Sequence, residues 1–249
     1  MGTVKTSVSA VKTLELGWSE RAALQQPREY GKIEPFLGRA RMDHRELLKG
    51  LLRRKSLVRG EFTLSSGLKS NYYLDCKLTT LDPEGSVLVG YSILELLERE
   101  GIQADAIGGP TIGADPIVTA VAAVSYLEKK RLPAFLVRKE RKEHGRERQI
   151  EGLDLKEGSK VVIVDEVCTT GKSTLDALTA VEGAGLRVLA VVSLVDREEG
   201  GSERLRKTYQ YYPVFTAKEL LEDSSQDERE HSEAAEDSCR SVGADGRTT

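Results

Sequence analysis

From Asp43 onward the apolar residues of this chain switch repeatedly between two spacings. In DHRELLKGLLRRKSLV (43–58), Leu47, Leu48, Leu51 and Leu52 recur at helical spacing behind Asp43, whose short carboxylate suits an N-cap. FTLSSG (62–67) and NYYLD (71–75) read as short strands, and SVLVGYSILELLERE (86–100) reads as an amphipathic helix. The alternation continues through ADAIGG as strand, ADPIVTAVAAVSYLEKK as helix, PAFLVRK and KVVIVDE as strands, STLDALTAVEGAG as helix and RVLAVVSLVD as strand. YYPVFT and AKELLE close the order as strand and helix. Short apolar strands alternating with helices predict an α/β fold with a central, mainly parallel sheet and helices on both faces.

The flanks break this pattern. Residues 1–42 show no sustained period and carry polar breaks around Gln25, Pro27 and Gly31. They read as an extension, and Met42 stands at its end as a candidate initiator. Beyond Leu221 the chain turns acidic and serine-rich, EDSSQDEREHSEAAEDS, with hardly any large apolar residue, so residues 222–249 are expected to form a disordered tail. The expected organisation is therefore extension 1–42, folded domain 43–221 and acidic tail 222–249.

Charge and cysteine content narrow the setting. The 249 residues hold 37 Lys+Arg against 40 Asp+Glu, a net charge of −3, with no basic face of the kind that binds nucleic acid. No apolar run approaches the roughly 18 residues of a membrane span. The N-terminus lacks a secretory apolar core, and Glu15, Glu20, Glu29 and Glu34 argue against a transit peptide, so the expected location is cytoplasmic. Met1-Gly2-Thr3-Val4-Lys5-Thr6 fits a loose myristoylation pattern that is too short to weigh. Cys76, Cys168 and Cys239 lack metal-type spacing and read as reduced thiols.

Candidate chemistry centres on VVIVDEVCTTGKST (161–174). Val161 to Val164 have the continuous apolar character of a strand buried on both faces, and Asp165 and Glu166 stand at its carboxyl end, where open parallel sheets bind ligands. Cys168, Thr169, Thr170, Gly171, Lys172, Ser173 and Thr174 are small or donor-rich and open a helix, which makes a cradle for one phosphate. Gly171-Lys172-Ser173 ends like a triphosphate-binding loop, but the glycine required at 166 is Glu166, which excludes that motif. Two acids beside a phosphate cradle suit the hydroxyls of the sugar that carries the phosphate. An acidic strand end running into an ordinary helix cap explains the stretch alone equally well.

Three other stretches leave alternatives open. RKERKEHGRERQ (138–149) carries Arg138, Lys139, Arg141, Lys142, His144, Arg146 and Arg148 and reads as a surface loop, either a ligand lid or a solvated charged hairpin. FTLSSGLKSNYYLD alternates apolar residues with turn formers, as a rim hairpin would; Tyr72 and Tyr73 there are either pocket or packing residues, and Lys69 and Lys77 are candidate phosphate or carboxylate contacts without an assignment. Arg197, at the carboxyl end of RVLAVVSLVD, either faces a ligand or pairs with Asp196 or Glu198. Gly108, Gly109 and Gly113 around Pro110 fit close backbone approach to a ligand or a tight structural turn.

VVIVDEVCTTGKS resembles the phosphoribosyl diphosphate motif of type I phosphoribosyltransferases. Together with GEFTLSSGLKSNYYLD (60–75), GGPTIGADPIVTAVA (108–122), VRKERKEHGRERQIEG (137–152) and SLVDREEG (193–200), it resembles orotate phosphoribosyltransferases over residues 43–221. The resemblance implies the type I phosphoribosyltransferase fold with a small N-terminal hood. It implies transfer of ribose 5-phosphate from phosphoribosyl diphosphate to N1 of orotate, giving orotidine 5-phosphate and diphosphate in UMP biosynthesis, without a protein nucleophile. Arg138, Lys139, Lys142 and His144 are implied as diphosphate ligands, with Lys142 and His144 also catalytic. Asp165 and Glu166 are implied on the ribose hydroxyls, and Val167, Cys168, Thr169, Thr170, Gly171, Lys172 and Ser173 around the 5-phosphate. Arg197, Thr169 and Tyr73, the latter preferred to Tyr72, are implied at orotate. Mg²⁺ is implied as cofactor, held mainly by substrate and water, and the partner is a second copy of the chain whose basic loop completes each site. Some members of the family carry lysines where Ser65 and Gly113 stand and others match this chain, Glu166 stands for the second aspartate of the commonest acidic pair, and Lys172 sits where a small residue is frequent. A phosphoribosyltransferase for another base, and a non-catalytic sensor of phosphoribosyl diphosphate, are the competing readings.

Overall fold

The computed structural model describes residues 43–63, 69–140, 149–152 and 154–222. The chain divides into two units at Met42/Asp43, and every described residue lies in the second.

Helix α1 (His44–Lys55) starts where the N-cap was expected: the Asp43 carboxylate accepts from the Glu46 backbone N–H at 3.1 Å. Its buried face is centred on Leu48, Leu51 and Leu52, while Leu47, one position off that face, is 43% exposed. The helix stops at Lys55, and Leu57–Thr63 form β1, which pairs antiparallel with β2 (Lys69–Leu74) as a separate two-stranded sheet. The β-branched Val58 and the aromatic Phe62 favour the pleated surface over another helical turn. Residues 64–67 of the expected FTLSSG strand lie outside the described residues. A short helix α2 (Lys77–Thr80) leads to α3 (Pro83–Arg99), capped by Asp82 through the N–H groups of Glu84 and Gly85 and carrying Pro83 in its first turn.

Next come β3 (Ala106–Pro110), α4 (Ala114–Leu127), β4 (Ala134–Val137), β5 (Ile150–Gly152), β6 (Lys160–Cys168), α5 (Lys172–Gly183), β7 (Arg187–Asp196), α6 (Gly201–Arg206), β8 (Tyr211–Thr216) and α7 (Ala217–Glu222). The main sheet has the order β5-β4-β3-β6-β7-β8, parallel except for the antiparallel β4/β5 edge. The three-residue β5 and the short α2 and α6 carry too few residues for a readable period, which is why the pattern did not announce them.

Alternation along the strands distributes the core to two faces. Val162 and Val164 of β6 with Ala190, Val192 and Leu194 of β7 pack under α1, α3 and α4. Val161, Ile163 and Val191 face the other way, onto Ala177, Leu178 and Val181 of α5 and Leu205 of α6. A one-residue slip of β6 would exchange these faces, so the register is fixed by both layers. Leu52 is fully buried, and truncating it to alanine would cost about 2–5 kcal/mol. Among the described residues no helix is long and apolar enough to cross a membrane.

The arrangement also sets where a ligand can enter. From the central pair β3 and β6, the chain leaves β3 into α4 on one face and β6 into α5 on the other, so the strand order reverses between them. That is the topological switch point, and the crevice outside its carboxyl ends is the natural binding position in an open parallel sheet.

Candidate active site

Four carboxyl-terminal strand ends gather at this crevice. β3 ends in Gly109 and Pro110, β4 runs into Arg138, β6 carries Asp165 and Glu166, and β7 ends in Asp196 ahead of Arg197. Gly109 allows the two central strands to meet: a Cβ there would stand 1.9 Å from the Val164 carbonyl oxygen.

The turn after β6 is braced by its own acid. Asp165 Oδ2 accepts from Ser173 Oγ at 2.8 Å and Thr174 Oγ1 at 2.7 Å, and Oδ1 accepts from the Glu166 backbone N–H at 2.8 Å. Burial raises the Asp165 pKa above the ordinary carboxylate range against the opposing pull of these donors. Gly171 reverses the chain with φ +73°, a conformation that costs an L-residue about 1–2 kcal/mol, and α5 begins at the next residue. The first N–H groups of α5 have no helical acceptor. A pocket of 370 Å³ lies beside them, walled by Lys172, Ser173, Asp176 and Ala177, by Pro110 and Val137 at two strand ends, and by Arg138, Lys139 and Gln149. Three cations border it, so its chemistry suits a polyanion. The Gln149 amide donates to the Arg138 carbonyl at 2.9 Å and steadies this approach to the basic segment. Lys142 and His144 lie outside the described residues.

Glu166 is differently placed. Its Oε2 meets the ammonium of Lys77, and its Oε1 is buried with no hydrogen-bond partner. Burial raises the Glu166 pKa, Lys77 lowers it, and the nearby Asp75 and Asp165 carboxylates raise it again. Asp165 therefore holds the turn, and Glu166 retains acceptor capacity for something else. Val167 is half-buried and Cys168 is buried at the strand end, where burial pushes the thiol up to about 11, so the thiolate is not a nucleophile there. Thr169 offers its carbonyl to the Gly201 N–H at 3.0 Å, which packs the turn on the start of α6.

A second pocket, of 330 Å³, adjoins the turn through Arg197, whose backbone N–H donates to the Cys168 carbonyl at 2.9 Å. Tyr72, Arg197, Glu198, Ala217, Lys218, Leu221 and Glu222 line it. The Arg197 side chain is 7% exposed, its guanidinium lies 4.7 Å over the Tyr72 ring, and Nε donates to Glu199 at 2.8 Å. Neither Asp196 nor Glu198 takes it: the Asp196 carboxylate accepts instead from the Glu198 N–H. Arg197 Nη2 is buried without a partner, a donor left for a ligand. The two tyrosines fall on opposite faces of β2. Tyr72 is buried against Arg197, whereas Tyr73 is 46% exposed with its ring 5.7 Å from Phe62. The packing beside Arg197 therefore belongs to Tyr72, and a Tyr73 contact to a ligand would have to come from its backbone or from the exposed side of the hairpin.

Against this geometry the comparisons with known proteins are specific. A phosphoribosyl transferase domain model matches residues 91–224. The orotate phosphoribosyltransferase of Aquifex aeolicus is 45% identical over 184 residues, which is 72% of this chain and 99% of that protein. The chain belongs to the orotate phosphoribosyltransferase family. Solved structures of the family agree. Mycobacterium tuberculosis H37Rv orotate phosphoribosyltransferase in complex with 5-phospho-α-D-ribosyl 1-diphosphate is similar with a TM-score of 0.60 and 35% identity, covering 71% of this chain and 98% of that one. The Aeropyrum pernix orotate phosphoribosyltransferase gives a TM-score of 0.62 at 32% identity over 72% and 98% of the two chains. As a member of this family the chain is a pentosyltransferase with the type I phosphoribosyltransferase fold.

Two contacts beside the acids and Arg197 were not assigned from the sequence. Lys77 lacked an assignment, because its partner lies far along the chain, and Tyr72 was ranked behind Tyr73. Burial in β2 alternates with period two, and the aromatic sharing the parity of buried Leu74 was the available signal for Tyr72.

Proposed function

We propose that the protein transfers ribose 5-phosphate from phosphoribosyl diphosphate to N1 of orotate, forming orotidine 5-phosphate and diphosphate on the route to UMP. The observation that carries this reading is the junction of the turn after β6 with the Arg197 pocket. The phosphate turn and the Arg197/Tyr72 pocket meet through the Arg197 N–H and Cys168 carbonyl bond, so a sugar phosphate on one side can face a planar anionic base on the other. Arg197 Nη2 is suited to the orotate carboxylate, with Tyr72 fixing the guanidinium plane and Thr169 adjacent on the turn. The N–H groups and hydroxyls of residues 167–173 take the 5-phosphate, and Glu166 takes the ribose hydroxyls while Asp165 braces the turn. Arg138 and Lys139, continued by Lys142 and His144, neutralise the leaving diphosphate and keep water from the anomeric carbon.

The transition state gains positive charge at that carbon as the diphosphate leaves, so positioning and electrostatics supply the catalysis. Among the described residues no group of three or more His, Cys, Asp or Glu is arranged to hold a metal. A Mg²⁺ held mainly by substrate oxygens and water would neutralise diphosphate charge. The reading carries with it a cytoplasmic homodimer in which the basic loop of each copy completes its partner's site, with residues 43–221 as the catalytic domain.

The test is the loss of orotate absorbance on mixing the protein with orotate, phosphoribosyl diphosphate and Mg²⁺. Turnover is expected in the parent, with collapse in the Asp165→Asn, Glu166→Gln double variant. Binding of phosphoribosyl diphosphate without turnover would reject orotate as substrate and bring forward another base or a sensor role.

A further inference from the structure

The acidic pair has four carboxylate oxygens, and three are engaged inside the chain. Asp165 uses both of its own on Glu166 N–H, Ser173 and Thr174, and Glu166 gives Oε2 to Lys77. Only Glu166 Oε1 is left, buried and unpartnered. A buried carboxylate oxygen without a donor is unfavourable unless a ligand supplies one.

Lys77 does not come from the main sheet. It opens α2 just after the β1/β2 hairpin, and it is anchored locally: its backbone N–H donates to Asp75 Oδ1 at 3.1 Å, and its ammonium lies 3.9 Å from the same oxygen. The side chain is 43% exposed where that of Glu166 is 9%, so the ammonium reaches inward from the rim to a buried acid. Among the described residues no other ammonium or guanidinium lies within 4 Å of either acid. Gly113 leaves room for the pair: a Cβ there would stand 3.0 Å from Glu166 Oε2.

We propose that Lys77 is a positioning residue of the pentose site: by holding Glu166 Oε2, it fixes the carboxylate ionised and in one orientation, with Oε1 presented to a hydroxyl of the bound ribose 5-phosphate donor. This rests on the reading of Glu166 as the ribose ligand. Without the ammonium, Glu166 would face Asp165 and Asp75 as an uncompensated third acid, and would turn away or take up a proton. A protonated Glu166 is a poorer acceptor for the sugar hydroxyl. The clamp also makes the hairpin segment part of the sugar site, since Lys77 and Tyr72 belong to the same short stretch, one reaching Glu166 and the other Arg197.

The test is calorimetric binding of Mg²⁺-phosphoribosyl diphosphate to the full chain, for the parent, Lys77→Met, Glu166→Gln, the double variant and Lys77→Arg, with thermal midpoints recorded beside it. Each of Lys77→Met and Glu166→Gln is expected to weaken binding roughly tenfold, the double variant by no more than the worse single, and Lys77→Arg to stay within about threefold of the parent. A merely structural lysine would lower the midpoint without this non-additivity. Should Lys77→Met fail to fold, Lys77→Gln takes its place in the cycle. Parent-like binding by the lysine variant, or losses that multiply in the double variant, would overturn the role of Lys77 while leaving Glu166 as ligand. Parent-like binding by Glu166→Gln would instead overturn the ribose reading on which it rests.

Discussion

The turn after β6 and the pocket under Arg197 touch one another but are built in opposite ways. The turn is contiguous: Asp165, Ser173 and Thr174 lie within ten residues, and the acid satisfies the hydroxyls that follow it. The pocket is composite, taking Tyr72 from the hairpin, Arg197 from the end of β7, and Ala217 and Leu221 from α7. A self-braced turn keeps its shape from local bonds, whereas the pocket depends on three separate elements arriving in register. Loss of the Asp165 brace should therefore affect everything the site does, and loss of a ligand contact on either side only what that side binds.

The largest effect is expected at Asp165. Asp165→Ala leaves three donors without their acceptor, and displacing the turn by about 1 Å should lower kcat/KM for both substrates at least about a hundredfold. The unsatisfied donors should cost about 1–3 kcal/mol of stability, read as a fall in the thermal midpoint. Full activity in this variant would show that the turn does not need its brace.

Arg197→Met comes next. Losing a charge-assisted bond worth about 2 kcal/mol should raise the KM for orotate roughly thirtyfold and leave that for phosphoribosyl diphosphate within about twofold. The paired tyrosines sharpen the same point. Tyr72→Leu removes the ring under the guanidinium and should raise the orotate KM several-fold, on the scale of about 1 kcal/mol, while Tyr73→Leu should change it less than about twofold. Equal effects of the two would break the distinction between the faces of β2.

The smallest effect is in pH dependence. Burial raises the folded-state pKa of Asp165 and Glu166, so the folded protein binds protons more tightly than the unfolded chain. This contribution to stability is fully present below the ordinary carboxylate pKa and is lost as pH rises through the raised values. Denaturation across that window should show a shallower decline for Asp165→Asn than for the parent. On the proposed role of the acids as ionised acceptors, activity should follow the opposite course, with its acid limb above the ordinary carboxylate range.

The contrast also explains what the sequence could disclose. Val161–Val164, the acids, Gly171 and the start of α5 are neighbours along the chain, so strand burial, the glycine turn and the helix behind it were readable from fourteen residues, and the same stretch carries the expectation of a phosphate cradle. The parallel sheet was readable for a similar reason, because each strand and helix carries its own period. Lys77 on Glu166 and Tyr72 under Arg197 were not, because the first joins residues 89 positions apart and the second 125; the parity of β2 could mark Tyr72 as the inward ring, but not that Arg197 lies over it. Leu47 shows the same limit on a smaller scale: helical spacing admitted it to the buried face, and the packing of α1 excluded it.

The division between the two regions is tested most directly by steady-state KM values for both substrates in Glu166→Gln and Arg197→Met. The expected result is a crossover, with Glu166→Gln raising only the phosphoribosyl diphosphate KM and Arg197→Met only the orotate KM. If both variants raise the same KM, or if neither substrate is turned over by the parent, the assignment of sugar to the β6 turn and base to the Arg197 pocket is contradicted.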